Sequence, residues 1–178
     1  VAYFTIRNGS VNPMTPSLHK QMYHTMLEFL ADEEVRVGIM TGAGERAFSA
    51  GDDIKTQYTS YQTPAEEMSA HLWSRHRVEE EDPTTFAWSR DVLALERFKP
   101  IIGAVRGYCL GQGMIYLLHL TDIRVASDDT KLGFPEIAYG MGGAGGSSRL
   151  SRHLPHVVAM EMLLTGDPMP AEDALRYN

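Results

Sequence analysis

Hydrophobic and polar positions along this 178-residue chain change period several times. Residues 2–7 and 35–41 read as short strands, the second a run rich in β-branched residues and closed by Gly42. Between them Thr15 and Pro16 form a helix start, with Thr15 as N-cap and Pro16 at the first helical position. Leu18, Met22, Met26, Phe29 and Leu30 then recur at helical spacing and give one apolar face. Residues 101–105 and 123–126 repeat the strand character, and a helix beginning near Gly111 fits between them. A further short strand is expected over 132–134 and a helix over 157–164, with Pro170 opening another helix. Strand and helix alternate, which argues for an α/β fold.

Residues 55–97 stand apart as long, polar and irregular. They carry Tyr58, Tyr61, His71, Trp73, His76, the acidic run Glu79-Glu80-Glu81-Asp82, and Trp88. A long segment between strands serves as a binding loop or lid, or else as a solvated helix and loop anchored by its aromatics. The acidic run reads as a solvated face rather than a metal site.

Composition narrows the function classes. Apolar residues make up 43% and charged residues 22%, as in ordinary globular chains, and the length suits one domain. The formal net charge of -7 argues against a nucleic-acid footprint, and leaves an anionic ligand to be met by local basic residues. The single cysteine, Cys109, excludes an intrachain disulfide and reads as a small buried hydrophobe in a reducing compartment. No apolar run is long enough to span a bilayer, and no basic start precedes an apolar stretch. The expectation is a soluble protein of the cytoplasm, or of an organelle matrix in a eukaryote.

Several motifs can be tested. Gly42-Ala43-Gly44-Glu45-Arg46-Ala47 matches the dinucleotide fingerprint, but that site needs a helix to start within the glycines. Phe48-Ser49-Ala50-Gly51-Asp52-Asp53 is a poor helix opening, so a dinucleotide-dependent oxidoreductase stays a distant alternative. Neither a P-loop nor a nucleophile elbow occurs. His153 and His156, with one cysteine and no H-E-x-x-H, do not make a zinc site, and no metal is expected.

Two glycine-bearing turns remain. Ala47-Phe48-Ser49-Ala50-Gly51-Asp52-Asp53-Ile54-Lys55 follows a buried strand, and Gly107-Tyr108-Cys109-Leu110-Gly111-Gln112-Gly113 lies between a strand and an apolar helix. Each exposes backbone N–H groups at a strand end, and the second adds a helix N-terminus, which favours developing negative charge. Two such donors converging on one carbonyl oxygen would stabilise an enolate or a tetrahedral oxyanion. A thioester suits the arrangement, because holding its oxygen makes the α-proton removable.

The first of these turns resembles the AFSAGADIK signature of enoyl-CoA hydratases and isomerases, the crotonase family. Lys99-Pro100-Ile101-Ile102-Gly103-Ala104-Val105 with Gly107-Tyr108-Cys109-Leu110-Gly111 is similar to the family's KPVIAAVNGYALGGG segment. Asp122-Ile123-Arg124-Val125-Ala126-Ser127, Leu132-Gly133-Phe134-Pro135-Glu136, Gly143-Ala144-Gly145-Gly146 with Arg149-Leu150, and Met162-Leu163-Leu164-Thr165-Gly166-Asp167 continue the likeness in order. It covers the chain apart from residues 56–97, a variable specificity loop within one crotonase-like domain. The resemblance implies a ββα spiral, acyl-CoA as small-molecule substrate with coenzyme A entering only as part of it, no nucleic-acid or membrane partner, and homotrimers or hexamers.

The resemblance assigns the two oxyanion N–H groups to Asp52 and Gln112, where the family usually has alanine and glycine. The Asp52 carboxylate is expected to point away from the oxyanion, toward Lys55. Ala50, Gly51, Asp53, Ile54, Gly111, Gly113, Ile115, Tyr116, Pro135 and Tyr139 are the expected substrate contacts. Family hydratases use two glutamates. The first position falls on Ile115, or on Tyr116 if the helix is shifted by one residue, and neither is an acid. The second is filled by Glu136. One carboxylate beside an oxyanion hole suits moving a proton between carbons, which favours an isomerase over a two-glutamate hydratase, with a dehydratase or hydrolase behind it. Tyr116, Tyr139, His119 and Asp52 are candidates to stand in for the missing acid. The family normally continues into further helices, so the domain is expected to be truncated before a C-terminal helical part. A catalytically silent relative that binds CoA esters is the main alternative.

Overall fold

The computed structural model describes residues 1–55, 63, 87–141 and 149–177. In chain order these form β1 (Ala2–Ile6), α1 (Pro16–Ala31), β2 (Gly38–Gly42), β3 (Ala47–Ser49), α2 (Ala87–Ala94), β4 (Ile101–Val105), β5 (Tyr108–Leu110), α3 (Gln112–Leu120), β6 (Ile123–Ala126), β7 (Lys131–Gly133), a 3-10 turn (Pro135–Tyr139), α4 (His156–Thr165), β8 (Met169–Pro170) and α5 (Ala171–Tyr177). One sheet has the order β1-β2-β4-β6 and is parallel throughout. The other has the order β3-β5-β7-β8, with only the last pair antiparallel. From β2 to β7 the chain three times lays a strand in the first sheet, turns, and lays a short strand in the second. The turns into the second sheet therefore stack beside one another.

Thr15 caps α1 as its sequence predicts, its side chain accepting from the Leu18 N–H, with Pro16 in the first turn. The buried face of α1 is His19, Met22, Tyr23, Met26 and Phe29, beside Pro16, while Leu18 and Leu30 lie at its edge. Phe29 meets Phe4 of β1 edge to face, the favoured geometry for two rings, at 5.1 Å between centroids. The far end of α1 is closed by Lys99, whose Nζ donates to the carbonyls of Phe29 and Asp32. Arg97 grips Asp122 with both terminal nitrogens at 2.8 and 2.9 Å. That hydrogen-bonded guanidinium holds the Asp122 carboxyl below its usual range, and the same carboxylate accepts the Ile101 N–H at the head of β4.

The structure corrects several expectations. The segment 55–97 is not irregular throughout: Ala87–Ala94 is helical, and Trp88 is fully buried against Tyr23 and His24, with Lys20 over its ring. Its other named residues, from Tyr58 to Asp82, lie outside the described residues, as does the glycine run 143–146. Strands β3, β5 and β8 were not separated in the sequence pattern, because two or three residues carry no period. The strand expected over 35–41 begins only at Gly38. The glycines after β2 lead into β3 rather than a helix, so the dinucleotide fingerprint lacks the helix N-terminus it requires.

Gly107 shows how tightly the turns between sheets are drawn. Its φ is +64°, and a Cβ there would lie 2.1 Å from the Arg46 carbonyl oxygen, which accepts the next N–H, from Tyr108. Gly107→Ala should therefore combine left-handed strain with overpacking and lower stability by at least about 2 kcal/mol. Urea denaturation checks this, and a midpoint unchanged from the parent would contradict the packing described.

Candidate active site

The site begins with the segment 8–14, which builds the first turn. Asn12 is wholly buried at φ +50°. Its amide donates to the carbonyls of Ala43 and Ala47 at 3.0 and 2.8 Å, tying the loop after β1 to the entry of β3. Ser49 donates its hydroxyl to the Asn12 carbonyl and accepts the Gly51 N–H. Ala50 donates to Val11, Met14 donates to Gly51, and Asp53 donates to Met14. Every backbone N–H from Ala50 to Ile54 except that of Asp52 is engaged among the described residues.

The second turn meets the first. Gly51 sits at φ +96°, and a Cβ on it would lie 3.1 Å from the Leu110 oxygen and 3.4 Å from the Gln112 nitrogen. Gly111 adopts φ 52° and ψ -124°, open in practice to glycine alone. Gly113 lets α3 approach β3, since a Cβ there would strike Ser49. Gln112 opens α3, so its N–H has no intrahelical acceptor, and it finds none elsewhere among the described residues. Two unengaged N–H groups, of Asp52 and Gln112, thus stand on adjoining turns at the head of a helix.

Glu136 comes to the same place from the 3-10 turn. A Cβ on Gly111 would lie 3.2 Å from Glu136 Oε1 and 3.6 Å from Gly51 Cα, so the carboxyl and the first turn flank one glycine. Oε2 is buried without a hydrogen-bond partner among the described residues, and so is Nε2 of Gln112. Burial pushes the Glu136 carboxyl up; its own backbone N–H draws it partly back, and the Asp52 charge raises it again.

Asp52 does not reach toward Lys55 as expected. Its Oδ1 lies 3.1 Å from Nε2 of His19, a residue only 1% exposed, and His19 Nδ1 lies 2.7 Å from the Tyr116 hydroxyl. The carboxylate can only accept, so Nε2 carries a proton, and in the neutral ring Tyr116 donates to Nδ1. Burial and then the Asp52 charge keep the Tyr116 phenol well above its ordinary range, while the neighbouring Gln112 side chain pulls the other way by proximity. His19 is the site residue that sequence reasoning missed. The available signal was a polar residue at the head of the stripe His19, Met22, Tyr23, Met26.

Other expected residues fall elsewhere. Ile115 packs in the core, so only Tyr116 of the two positions joins the polar cluster. Tyr139 is 65% exposed at the far end of the 3-10 turn, while Pro135 opens it and Ala50, Asp53 and Ile54 complete the first turn as half-buried residues. His119 is structural: Nε2 donates to the Leu93 carbonyl and Nδ1 faces Arg149. Cys109 is buried, which pushes its thiol up, as its reading as a hydrophobe requires. No cluster of three or more His, Cys, Asp or Glu suited to a metal occurs among the described residues. No helix there is long and apolar enough to cross a membrane.

Comparison with known proteins meets this geometry. The family described as Enoyl-CoA hydratase/isomerase matches residues 1–177. The chain belongs to this family. It is 34% identical over 180 residues to the (E)-benzylidenesuccinyl-CoA hydratase of Thauera aromatica, covering 99% of this chain and 63% of that one. The carnitinyl-CoA dehydratase of Escherichia coli K12 is 34% identical over 182 residues, covering 96% and 63%. Among solved structures, an enoyl-CoA hydratase subunit I of Geobacillus kaustophilus aligns at a TM-score of 0.78 and 30% identity, over 98% of this chain and 61% of that chain. The chain thus has the α/β crotonase fold and spans about three-fifths of the length of these relatives.

The crotonase site carries a pH signature. Because folding raises the Glu136 carboxyl, the folded state keeps a proton that the unfolded chain has already lost. The folded state binds more protons in that window, so the group's contribution to stability falls as pH rises through it. Glu136→Gln removes the ionisation, and should gain stability relative to the parent from acid to neutral pH. Urea denaturation across that range is the measurement; a difference independent of pH would refute it.

Proposed function

We propose that the chain processes a CoA thioester through an enolate, with Glu136 carrying the α-proton. The thioester oxygen is received by the N–H groups of Asp52 and Gln112. The single observation behind this reading is their position: two donors without acceptors on adjoining turns, beside a carboxyl whose Oε2 is buried and unpartnered. One such donor is worth about 2.7–4 kcal/mol to a transition state. The donors aim at charge that develops only during reaction, so they lower the barrier more than they tighten binding. Coenzyme A enters as part of the substrate, and the chemistry asks for no resident cofactor. Assembly into homotrimers or hexamers belongs to the same reading, with the exposed Ile123 and Val125 of β6 as apolar surface available to it.

Glu136 acting alone moves one proton between carbons, which is the isomerase form of this reading. The relatives named above are a hydratase and a dehydratase, whose reactions also move water and so need a second acid–base group. Both forms pass through the same enolate.

Exchange of α-protons in deuterated water, followed by mass spectrometry over a panel of saturated acyl-CoAs, tests that shared step. Wild-type exchange that drops at least about 100-fold in Glu136→Gln is expected. Acyl-CoA binding with no exchange in the wild type would instead mark a silent relative.

A further inference from the structure

The sequence leaves the hydratase's first glutamate position without an acid, yet the structure holds a second carboxylate at the site. Asp52 directly follows Gly51, and a Cβ on Gly111 would meet both Gly51 Cα, at 3.6 Å, and Glu136 Oε1, at 3.2 Å. We propose that Asp52 is the second catalytic carboxylate of this site, held in place by His19 and Tyr116, and that the reaction adds or removes water at the β-carbon of the thioester. This deepens the enolate reading and rests on it.

Three observations carry the assignment. First, Tyr116, His19 and Asp52 form one hydrogen-bonded chain that ends with the His19 Nε2–H donated to the carboxylate. Tyr116 and His19 are buried at 0% and 1% exposure, whereas the Asp52 side chain is 28% exposed, so Asp52 is the end that a substrate or water can reach. Second, its only side-chain bond among the described residues uses Oδ1, which leaves Oδ2 to accept a proton. A carboxylate oriented by a buried histidine N–H is preorganised on one oxygen and free on the other. Third, the two carboxyls differ in the way that acid and base roles require. Glu136 is raised chiefly by burial and its Oε2 has no hydrogen-bond partner among the described residues, while Asp52 is partly exposed and accepts the His19 N–H on one oxygen.

The step balances without a co-reactant. In the direction of addition, a water gives one proton to Asp52 Oδ2 as its oxygen bonds the β-carbon. The π-electron pair of the alkene moves toward the thioester, whose oxygen takes the negative charge between the two N–H groups. Protonated Glu136 then gives its proton to the α-carbon. The proton on Asp52 passes through water to Glu136, restoring both groups, and the sum is hydrogen at one carbon and hydroxyl at the other. His19 and Tyr116 touch neither water nor substrate in this scheme and are positioning residues.

Two readouts on the same protein separate this proposal from the one beneath it: incorporation of ¹⁸O from labelled water into a panel of short, aryl and carboxyl-bearing enoyl-CoAs, and α-proton exchange of the saturated analogues. Asp52→Asn should lower the ratio of ¹⁸O incorporation to α-exchange at least about 10-fold, since it removes the base for water and keeps the backbone donor. Glu136→Gln should lose both. His19→Gln, which can still donate and accept, should keep more of the hydration kcat than His19→Leu, with KM little moved in either. Wild-type α-exchange without ¹⁸O incorporation on any enoyl-CoA would overturn the second carboxylate and leave the enolate standing. An unchanged ratio in Asp52→Asn would overturn it equally, and equal hydration kcat in the two His19 variants would remove His19 from it. Absence of α-exchange in the wild type would remove the enolate reading and this one together.

Discussion

The close approach of Gly51 to Gly111 is the contact on which the site depends. Neither position tolerates a side chain: one would press a Cβ on Leu110 and Gln112, the other on Glu136, and both glycines adopt positive φ. Because Gly51 follows β3 and Gly111 follows β5, the parallel pairing of β3 with β5 in the second sheet brings the two turns side by side. The N–H groups of Asp52 and Gln112 are left over from that geometry. Backbone donors fixed by strand pairing need no reorganisation when charge develops, which is the physical content of preorganisation.

Such a site works against stability. Gln112 Nε2 and Glu136 Oε2 are buried without partners among the described residues, and each such group costs about 1–3 kcal/mol in a protein interior. Asp52 adds a carboxylate beside a place intended for negative charge. The histidine resolves part of this conflict, since it draws one oxygen toward α1 and spreads the charge into a hydrogen-bonded chain ending at Tyr116. His19 thereby joins three elements: α1, the first turn and α3. A polar group inside an apolar stripe is costly unless both its nitrogens are satisfied, and here both are.

Much of the frame was legible in the residues. Thr15 and Pro16 mark the start of α1, and the strands over 101–105 and 123–126 have the observed limits, because caps and β-branched runs are local signals. The turns and Glu136 were legible as motifs. The short strands β3, β5 and β8 were not, since two or three residues have no period and are strands only through their neighbours. Trp88 and its helix were hidden in a polar stretch, because the burial of one tryptophan against Tyr23 is a tertiary fact. His19 was hidden for the same reason: its partners lie 33 and 97 residues away.

That hidden histidine changes how the missing acid is read. A one-dimensional comparison asks which residue stands at the helix position, and finds Ile115 or Tyr116. The chemistry asks instead for a carboxylate near the α- and β-carbons of a thioester held by the two donors. The first turn and the head of α3 adjoin, so a carboxylate can be supplied from either without moving the donors. At position 52 the proposed acid–base group and the proposed oxyanion donor belong to one residue. Such a residue needs a partner to keep its charge off the oxyanion, and a histidine buried behind it supplies one. On that proposal, the absence of an acid at Ile115 and Tyr116 and the presence of Asp52 with His19 belong to one arrangement of the site.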